Sequence, residues 1–237
     1  MKKYIKIFLT FALLLIISTA CKDSATEPEQ AAAESFTMKE IKVPEALNNS
    51  SDPQAISVRT QILVLNSLPT LYGGWFTVAS GPEQLAKVND DRTYTWNSNG
   101  VAITMKYSDT GDEIFREIFI SGNYAGQTRA NFKFLESRQK KDNSAGYFKL
   151  FDVSDGSSVT SWVWTTSADN VYSMTFSSDD GDKLEVNSSP DKSGTMSQYE
   201  NGVLISKTVW TASGTGEWWK YDNQGNVTDS GSWNPPA

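Results

Sequence analysis

The side chains that most enzymes use for nucleophilic or metal chemistry are nearly missing from this sequence. It contains no histidine, and Cys21 is its one cysteine. Catalytic triads that need histidine, and zinc sites built from histidine or cysteine, are therefore excluded. No Ser-x-x-Lys motif stands in a convincing context, and no glycine-rich phosphate loop opens a helix. Carboxylates remain as the one route to catalysis.

Acidic residues cluster in two regions that could supply a catalytic pair. Asp112, Glu113 and Glu117 surround one turn and strand, and Glu217 is followed by Trp218. A glycosidase needs two carboxylates that face a sugar ring at a defined separation, normally in an aromatic cleft. Because most acids beside hairpin turns are solvated turn-formers, we expect no enzyme, and a polysaccharide hydrolase is the third hypothesis.

Two aspartate-rich stretches could offer oxygen ligands to calcium. They are residues 109–113 and 179–182, and neither matches the twelve-residue calcium loop with its terminal glutamate. Turn formation is the simpler interpretation of both stretches. We therefore predict no metal and no cofactor.

Tryptophan is the other residue type that could form a site. On a strand, Trp162 and Trp164 point to the same side, whereas Trp218 and Trp219 point to opposite sides. If these rings face solvent, they could stack on sugars or line a peptide groove. If they face inward, they belong to the core or to the wall of an apolar cavity. The candidate binding residues are Trp162, Trp164, Trp210, Trp218 and Trp233.

The N-terminus has the organisation of an export signal. Lys2, Lys3 and Lys6 precede an apolar run over residues 7–17, which is short for a permanent membrane helix. Small residues, Ser18-Thr19-Ala20, then lead directly to Cys21. Residues 1–20 are thus predicted to be a signal peptide.

This junction resembles the lipobox of bacterial lipoproteins, although that family usually has Leu, Val or Ile where this chain has Ser18. The resemblance implies acylation of Cys21, by palmitate or a similar chain, and membrane attachment through lipid. Cleavage by ordinary signal peptidase and a retained N-terminal anchor are the alternatives. Lys22 differs from the aspartate that retains enteric lipoproteins in the inner membrane, so the resemblance favours the outer membrane.

The segment after the cysteine is rich in Ala, Glu, Ser and Pro. Residues 21–52 are predicted to be the lipidated cysteine and a flexible tether, because they carry too little apolar surface to fold alone. Met38, Ile41 and Val43 could form a short element that docks on the domain. Residues 53–237 are predicted to be one β-rich domain.

One helix and a long series of strands are expected in this domain. Ser51-Asp52-Pro53 is an N-cap followed by proline, and Ile56, Ile62, Leu63 and Leu65 recur with near-helical spacing until Pro69 and residues 73–74. Thirteen strands with turn residues between them follow: 75–79, 93–96, 101–107, 114–121, 130–137, 147–151, 159–165, 171–177, 184–187, 195–199, 203–211, 217–221 and 227–233. Short links permit only antiparallel neighbours. We predict an all-β antiparallel meander closing towards a barrel or a curved half-barrel, with one N-terminal helix.

A pattern of glycine, aromatic and acidic residues recurs three times. It begins at Gly146, Gly194 and Gly216, and each unit is followed by a tryptophan, namely Trp162, Trp210 and Trp233. The segment 194–233 resembles MORN-type repeats of some bacterial envelope proteins. That resemblance implies a sheet of hairpins and no particular activity.

The net charge of the chain limits the kinds of partner that it is expected to bind. The chain has a net charge of −7, and removal of the leader leaves 18 basic against 28 acidic residues, a net charge of −10. Such a surface disfavours binding of nucleic acid, and membrane attachment would require lipid rather than a basic face.

The leading hypothesis is a non-catalytic envelope lipoprotein that binds an apolar ligand or a partner in a curved sheet. The second is a surface recognition or scaffold module that binds glycan or protein through exposed aromatics.

Overall fold

A single antiparallel sheet makes up most of the protein. The computed structural model describes residues 36–76, 83–88 and 91–234. Each strand pairs with its neighbour in sequence, and the sheet does not close into a barrel. The strands are β1 Glu83–Val88, β2 Asp91–Ser98, β3 Val101–Asp109, β4 Glu113–Tyr124, β5 Gln127–Lys140, β6 Ala145–Phe151, β7 Ser158–Thr166, β8 Tyr172–Ser178, β9 Lys183–Ser188, β10 Gly194–Glu200, β11 Val203–Trp210, β12 Gly216–Tyr221 and β13 Val227–Trp233. The predicted antiparallel meander is confirmed.

The turn residues explain why the meander forms. Asn201 and Gly202 link β10 to β11 with φ values of 50° and 79°. Positive φ at both central residues of a two-residue hairpin matches the twist of the flanking strands, and Asn-Gly adopts it readily. These two residues therefore reverse the chain direction and form the hairpin between β10 and β11.

Twelve of the predicted strands correspond to β2–β13. The first predicted strand, 75–79, is wrong where it can be compared, because Gly74–Phe76 is a 3-10 turn that continues the helix. Strand β1 was not predicted. Its residues, EQLAKV, include few of the β-branched and aromatic side chains that mark a strand.

Among the described residues, two α-helices precede the sheet, the short α1 Glu45–Asn48 and the long α2 Pro53–Gly73. The Asp52 side chain caps α2 by accepting hydrogen bonds from the backbone N–H groups of Gln54 and Ala55, and Pro53 occupies the first turn, as predicted. Pro69 does not end the helix but lies inside it. The buried positions of α2 are Ala55, Val58, Ile62, Leu65, Leu68 and Tyr72.

Residues 36–76 form what we call the N-terminal cover, because they pack across one face of the sheet. We call that face the inner face and the opposite one the outer face. Phe36, Ile41 and Leu47 in the cover are at most 4% exposed. The tether expected over residues 21–52 therefore does not reach residue 52, since residues 36–52 pack with the sheet through these apolar anchors.

The predicted signal peptide 1–20, Cys21 and the tether residues up to 35 lie outside the described residues. Within the ranges that the structure describes, no helix combines the length and the hydropathy required to cross a membrane.

Candidate functional site

The strand register brings the tryptophans of β7 into the centre of the inner face. Trp162 lies opposite Phe148 on β6 and Phe176 on β8. Trp164 lies opposite Gly146 and Met174 on the same two strands. Both indoles are at most 2% exposed. The prediction that they share a side is confirmed, and that side is the covered one.

Aromatic side chains of the N-terminal cover close over these rings. The Phe36 ring centroid lies 5.1 Å from that of Phe76, 5.6 Å from Phe148 and 5.9 Å from Trp164. The Tyr72 centroid lies 4.7 Å from Phe148 and 5.5 Å from Trp162. Tilted and edge-on pairs at these distances are favourable beyond the apolar area that they bury. We call these six residues the aromatic cluster.

Polar side-chain atoms without hydrogen-bond partners surround the aromatic cluster. The Nε1 atoms of Trp162 and Trp164 and the hydroxyl of Tyr172 are buried and have no partner in the described part of the chain. The hydroxyls of Ser137, Thr160 and Thr166 are likewise buried without a hydrogen-bond partner in the described part of the chain. Strand alternation places these three residues on the inner face too. Burial of such groups costs free energy, so each of them requires a physical explanation.

Burial also fixes the ionisation of the two tyrosines in this region. It raises the pKa of Tyr72 to about 12, with a further contribution from Tyr124, and it raises the pKa of Tyr172. Both hydroxyls, like any tyrosine at physiological pH, are neutral and can donate a hydrogen bond, and burial extends that state to higher pH.

A buried cation borders the aromatic cluster. Arg116 on β4 is 0% exposed, and its guanidinium lies 5.4 Å from the Phe76 ring centroid and 5.7 Å from that of Tyr107. Its Nη1 donates a hydrogen bond of 3.2 Å to Oε1 of Gln139. This part of the inner face therefore combines apolar rings with hydrogen-bond donors and a buried guanidinium.

The C-terminal tryptophans have structural roles instead. The Trp210 ring lies over Gly194 and the Trp233 ring lies over Gly216, so a Cβ atom at either glycine would overlap an indole. Trp210 Nε1 donates to the Lys192 carbonyl at 2.9 Å, and Trp233 Nε1 donates to the Gly214 carbonyl at 2.8 Å. Their polar atoms are thus satisfied, unlike those of Trp162 and Trp164.

The same pairing corrects the assignment of the first repeat unit. The ring that covers Gly146 is that of Trp164, whereas the sequence pattern had ended this unit at Trp162. Trp162 stands opposite Phe148, where no glycine leaves room for the indole. Glycine covered by a cross-strand aromatic ring is therefore the structural element that recurs in all three units.

Trp218 differs from the other candidate tryptophans in being only half-buried. It lies on the inner face opposite Thr208 and Gly231, and Trp219 lies on the outer face, as the alternation predicted. The Lys220 ammonium lies 5.0 Å from the Trp218 ring centroid. Trp218 is far along the sheet from β7 and does not join the aromatic cluster.

The candidate catalytic acids are not brought together. Glu117 lies on β4 and Glu217 on β12, which are eight strands apart in the sheet. Glu117 accepts a hydrogen bond of 2.8 Å from Lys133, and Glu113 is paired with Arg138. No cleft that contains both Glu117 and Glu217 follows from this arrangement.

The aspartate-rich stretches act as turns. Asp109 accepts a hydrogen bond of 2.9 Å from the Gly111 N–H, and the Asp182 carbonyl closes the second turn by accepting one of 2.9 Å from the Ser178 N–H. Within the described ranges, no group of three or more His, Cys, Asp or Glu side chains could hold a metal ion.

The N-terminal cover is fastened by a small number of polar contacts. Asn66 on α2 accepts a hydrogen bond from the Ile41 N–H and donates one to the Ile41 carbonyl, both at 2.9 Å. The Lys42 carbonyl accepts a hydrogen bond of 3.3 Å from the Ser188 hydroxyl. The Thr37 hydroxyl also donates a hydrogen bond of 3.0 Å to Asn143 Oδ1 in the turn between β5 and β6, so the extended residues 36–43 are tied both to α2 and to the sheet.

A polar cleft of about 320 Å³ lies near the start of α2. The Asp52 side chain at its wall caps the helix, and the Trp233 ring is only 3% exposed, so neither group is presented to a ligand. The residues that line it are Ser50, Ser51, Asp52, Ser232, Trp233 and Asn234.

Polar groups on the outer face pair with one another. The Tyr147 hydroxyl donates to Glu136 at 2.7 Å, and Lys133 donates to the same carboxylate at 2.9 Å. The Tyr199 hydroxyl donates to Glu185 at 2.9 Å, and Lys183 pairs with that carboxylate at 2.8 Å. The same Lys-Glu-Tyr arrangement therefore occurs twice on this face.

Sequence reasoning missed most of the aromatic cluster. Phe148 was detectable, because cross-strand pairing places it directly opposite Trp162. Phe36 and Tyr72 come from the cover, and no pattern in the sequence indicated where the cover would lie.

Comparison with known proteins adds nothing to this geometry: no family model matches the sequence, and no curated protein matches it significantly.

Proposed function

We propose that this chain is a non-catalytic envelope lipoprotein that is anchored by lipid on Cys21 and binds an apolar ligand at the aromatic cluster. The signal-peptide pattern and the single cysteine after it support the anchor, with the outer membrane as the expected site. The ligand would lie between the N-terminal cover and the inner face of the sheet. It would be a molecule with an apolar body and at least one hydrogen-bond acceptor.

The observation that carries this proposal is the set of partnerless buried donors on the inner face of β7 and β8, within the described part of the chain. A core designed only for stability pairs its buried donors, as Trp210 and Trp233 do with backbone carbonyls. Trp162 Nε1, Trp164 Nε1 and the Tyr172 hydroxyl lack such partners although they are at most 2% exposed. An acceptor on a bound ligand would satisfy them. Apolar pockets with a few convergent polar groups are the usual form of small-molecule sites.

Entry of a ligand requires the cover to move from the aromatic cluster. Phe36 is the ring of the cover that contacts Trp164, and it lies at the end where the chain continues towards Cys21. Its displacement would uncover the Trp164 ring and one side of Phe148, while Tyr72 of α2 would keep its contact with Phe148. The extended segment 36–43 is therefore the part of the cover that we expect to give way.

Exposed-aromatic recognition is the weaker alternative. Trp162 and Trp164 were the rings on which that alternative depended, and both are buried. Trp218 and Trp219 remain half-buried at the end of the sheet, where they could contact a glycan or a protein. The donors around Trp162 have no role in that alternative.

Native mass spectrometry with lipid extraction tests the proposal. The full chain carries Cys21→Ser, so that it can be exported and purified without detergent. We expect a stoichiometric apolar molecule to co-purify with it. A clean apo mass, together with no binding of added fatty acids or phospholipids, would contradict the proposal and favour the recognition module.

Four matched variants separate ligand contacts from structural contacts. Trp162→Phe and Trp164→Phe remove unpaired donors and should reduce the bound ligand. Trp210→Phe and Trp233→Phe leave a carbonyl unpaired, which should cost about 1–3 kcal/mol more in unfolding free energy without reducing the ligand. Equal losses of ligand in all four variants would show that ligand retention follows stability alone.

A further inference from the structure

The α2 helix presents an unpartnered apolar surface on the side away from the sheet. Leu63 is 68% exposed, Ile56 is 38% exposed and Leu71 is 40% exposed. The spacings of seven and eight residues place them on one side of a helix. We call these three residues the helix stripe.

The helix stripe departs from what the sequence predicted and from the usual surface of a helix. Of the near-helical apolar pattern in the sequence, Ile62 and Leu65 are core positions, whereas Ile56 and Leu63 are not. Arg59 is the single charged residue of α2, and its guanidinium is held by the Asn48 carbonyl. A solvated helix face is normally rich in charged residues.

Charge distinguishes the side of the protein that carries the helix stripe. The N-terminal cover, residues 36–76, has three basic and three acidic residues and is neutral. Residues 77–237 have 14 basic and 21 acidic residues, a net charge of −7. A membrane that contains anionic lipids therefore repels the rest of the domain and does not repel the cover.

The distance to the anchor also limits how the domain can lie. Phe36 contacts Phe76 just beyond the end of α2, so the chain from Cys21 joins the domain beside the Leu71 end of the helix stripe. The 15 residues from Cys21 to Phe36 span at most about 50 Å when fully extended. A lipid on Cys21 would hold the stripe within reach of the bilayer surface, at a high effective concentration.

We infer that the helix stripe is a membrane-contact surface: the domain lies with α2 against the bilayer that holds its lipid, and its acidic sheet faces away. This inference rests on the lipid anchor of the proposed function and does not depend on the apolar ligand. Three apolar side chains are too few to bind a membrane alone, so the contact should require the tether.

Because Cys21 is the one cysteine, a maleimide reaction can attach the protein to vesicles at the native anchor point. The mature chain from Cys21 is coupled to vesicles of phosphatidylethanolamine and phosphatidylglycerol that contain a maleimide lipid. A matched sample is coupled to soluble maleimide-polyethylene glycol. Radical footprinting followed by peptide mass spectrometry then measures the labelling of individual side chains in both samples.

We expect the labelling of Leu63 to fall about threefold or more on vesicles, because contact with the interface removes most of its exposed surface. Val163 and Val227, which are 45% and 54% exposed on the sheet, are the internal controls and should be labelled equally in both samples. Leu63→Gln should abolish the protection of Ile56 and Leu71 on vesicles.

Three results would overturn the inference. Equal labelling of Leu63 in both samples would show that the stripe does not contact the bilayer. Equal protection of Val163 would indicate nonspecific adsorption. Protection of Leu63 in the soluble sample that grows with protein concentration would assign the stripe to a second copy of the chain. Chemical coupling replaces cellular acylation, so none of these results depends on whether Cys21 is acylated in cells.

Discussion

The inner and outer faces of strands β5–β10 differ in how their polar groups are satisfied. On the outer face, Tyr147 and Tyr199 donate to Glu136 and Glu185, and lysines complete both networks. On the inner face, the donors of Trp162, Trp164 and Tyr172 have no partner in the described part of the chain. The buried face is therefore the one that holds unmet hydrogen-bonding capacity.

This difference is the reverse of what stability alone would produce. Unpaired donors cost little where water can reach them, as on the outer face, and cost about 1–3 kcal/mol each where it cannot. A protein that places its complete networks outside and its incomplete ones inside gains little stability from the arrangement. The unpaired donors on the inner face are explained if they bind a ligand, because the rule that buried polar groups are paired is most often broken at functional sites.

Substitution of neighbouring residues on β7 should give the largest difference between the faces. Trp162→Ala removes a buried indole and should lower the unfolding free energy by about 3–5 kcal/mol. Val163→Ala, one residue along on the outer face, should cost less than about 1 kcal/mol, because its side chain is 45% exposed. Urea unfolding measures both values. Similar costs would mean that the two faces do not differ in burial as described.

Glycines under the inner-face tryptophans should be sensitive to a single methyl group. Gly194→Ala places a Cβ against the Trp210 ring and should destabilise the protein by about 1–3 kcal/mol. Gly74→Ala is the matched control, because no atom lies within 4 Å of its added Cβ. Its effect should stay within about 0.5 kcal/mol. The added Cβ would also meet the Asn187 carbonyl oxygen, so a neutral Gly194→Ala in thermal or urea unfolding would show that both the backbone of β9 and the Trp210 ring can move aside at no cost.

The sheet could be predicted from the sequence because its signals are local. Asn201-Gly202 and similar turns set the hairpins, and alternation within each strand sets which side chains share a face. The prediction failed at β1, where Glu83, Gln84 and Lys87 give no strand signal. It also failed at Pro69, where packing of Leu65, Leu68 and Tyr72 against the sheet holds the helix together across the proline.

The candidate site could be predicted only in part. Trp162 and Trp164 were identified, and their shared orientation followed from the period of a strand. Whether that orientation meant solvent or core depended on residues 36–52, which have few apolar residues and no regular period. Burial of Ile41 agrees with the short docking element expected at Met38, Ile41 and Val43, but no pattern indicated Phe36 or the extent of the cover up to residue 52.

The smallest difference between the faces should appear in acid. A hydrogen bond from Lys183, with a second from Tyr199, holds the pKa of Glu185 below its usual value of 4.5. A carboxylate whose folded pKa is lowered contributes stability above its unfolded pKa and loses it as the pH falls through the folded pKa. Glu185→Gln should therefore remove a stabilisation of well under 1 kcal/mol at pH 7, since the pair is exposed and screened by solvent. Unfolding free energies measured from pH 7 to about 3 should decline slightly less for the variant than for the parent chain. The aromatic cluster contains no carboxylate. The unfolding free energy of Trp164→Phe should therefore fall with pH in parallel with that of the parent chain. A steeper fall for Trp164→Phe would show that a group on the inner face also titrates in this range.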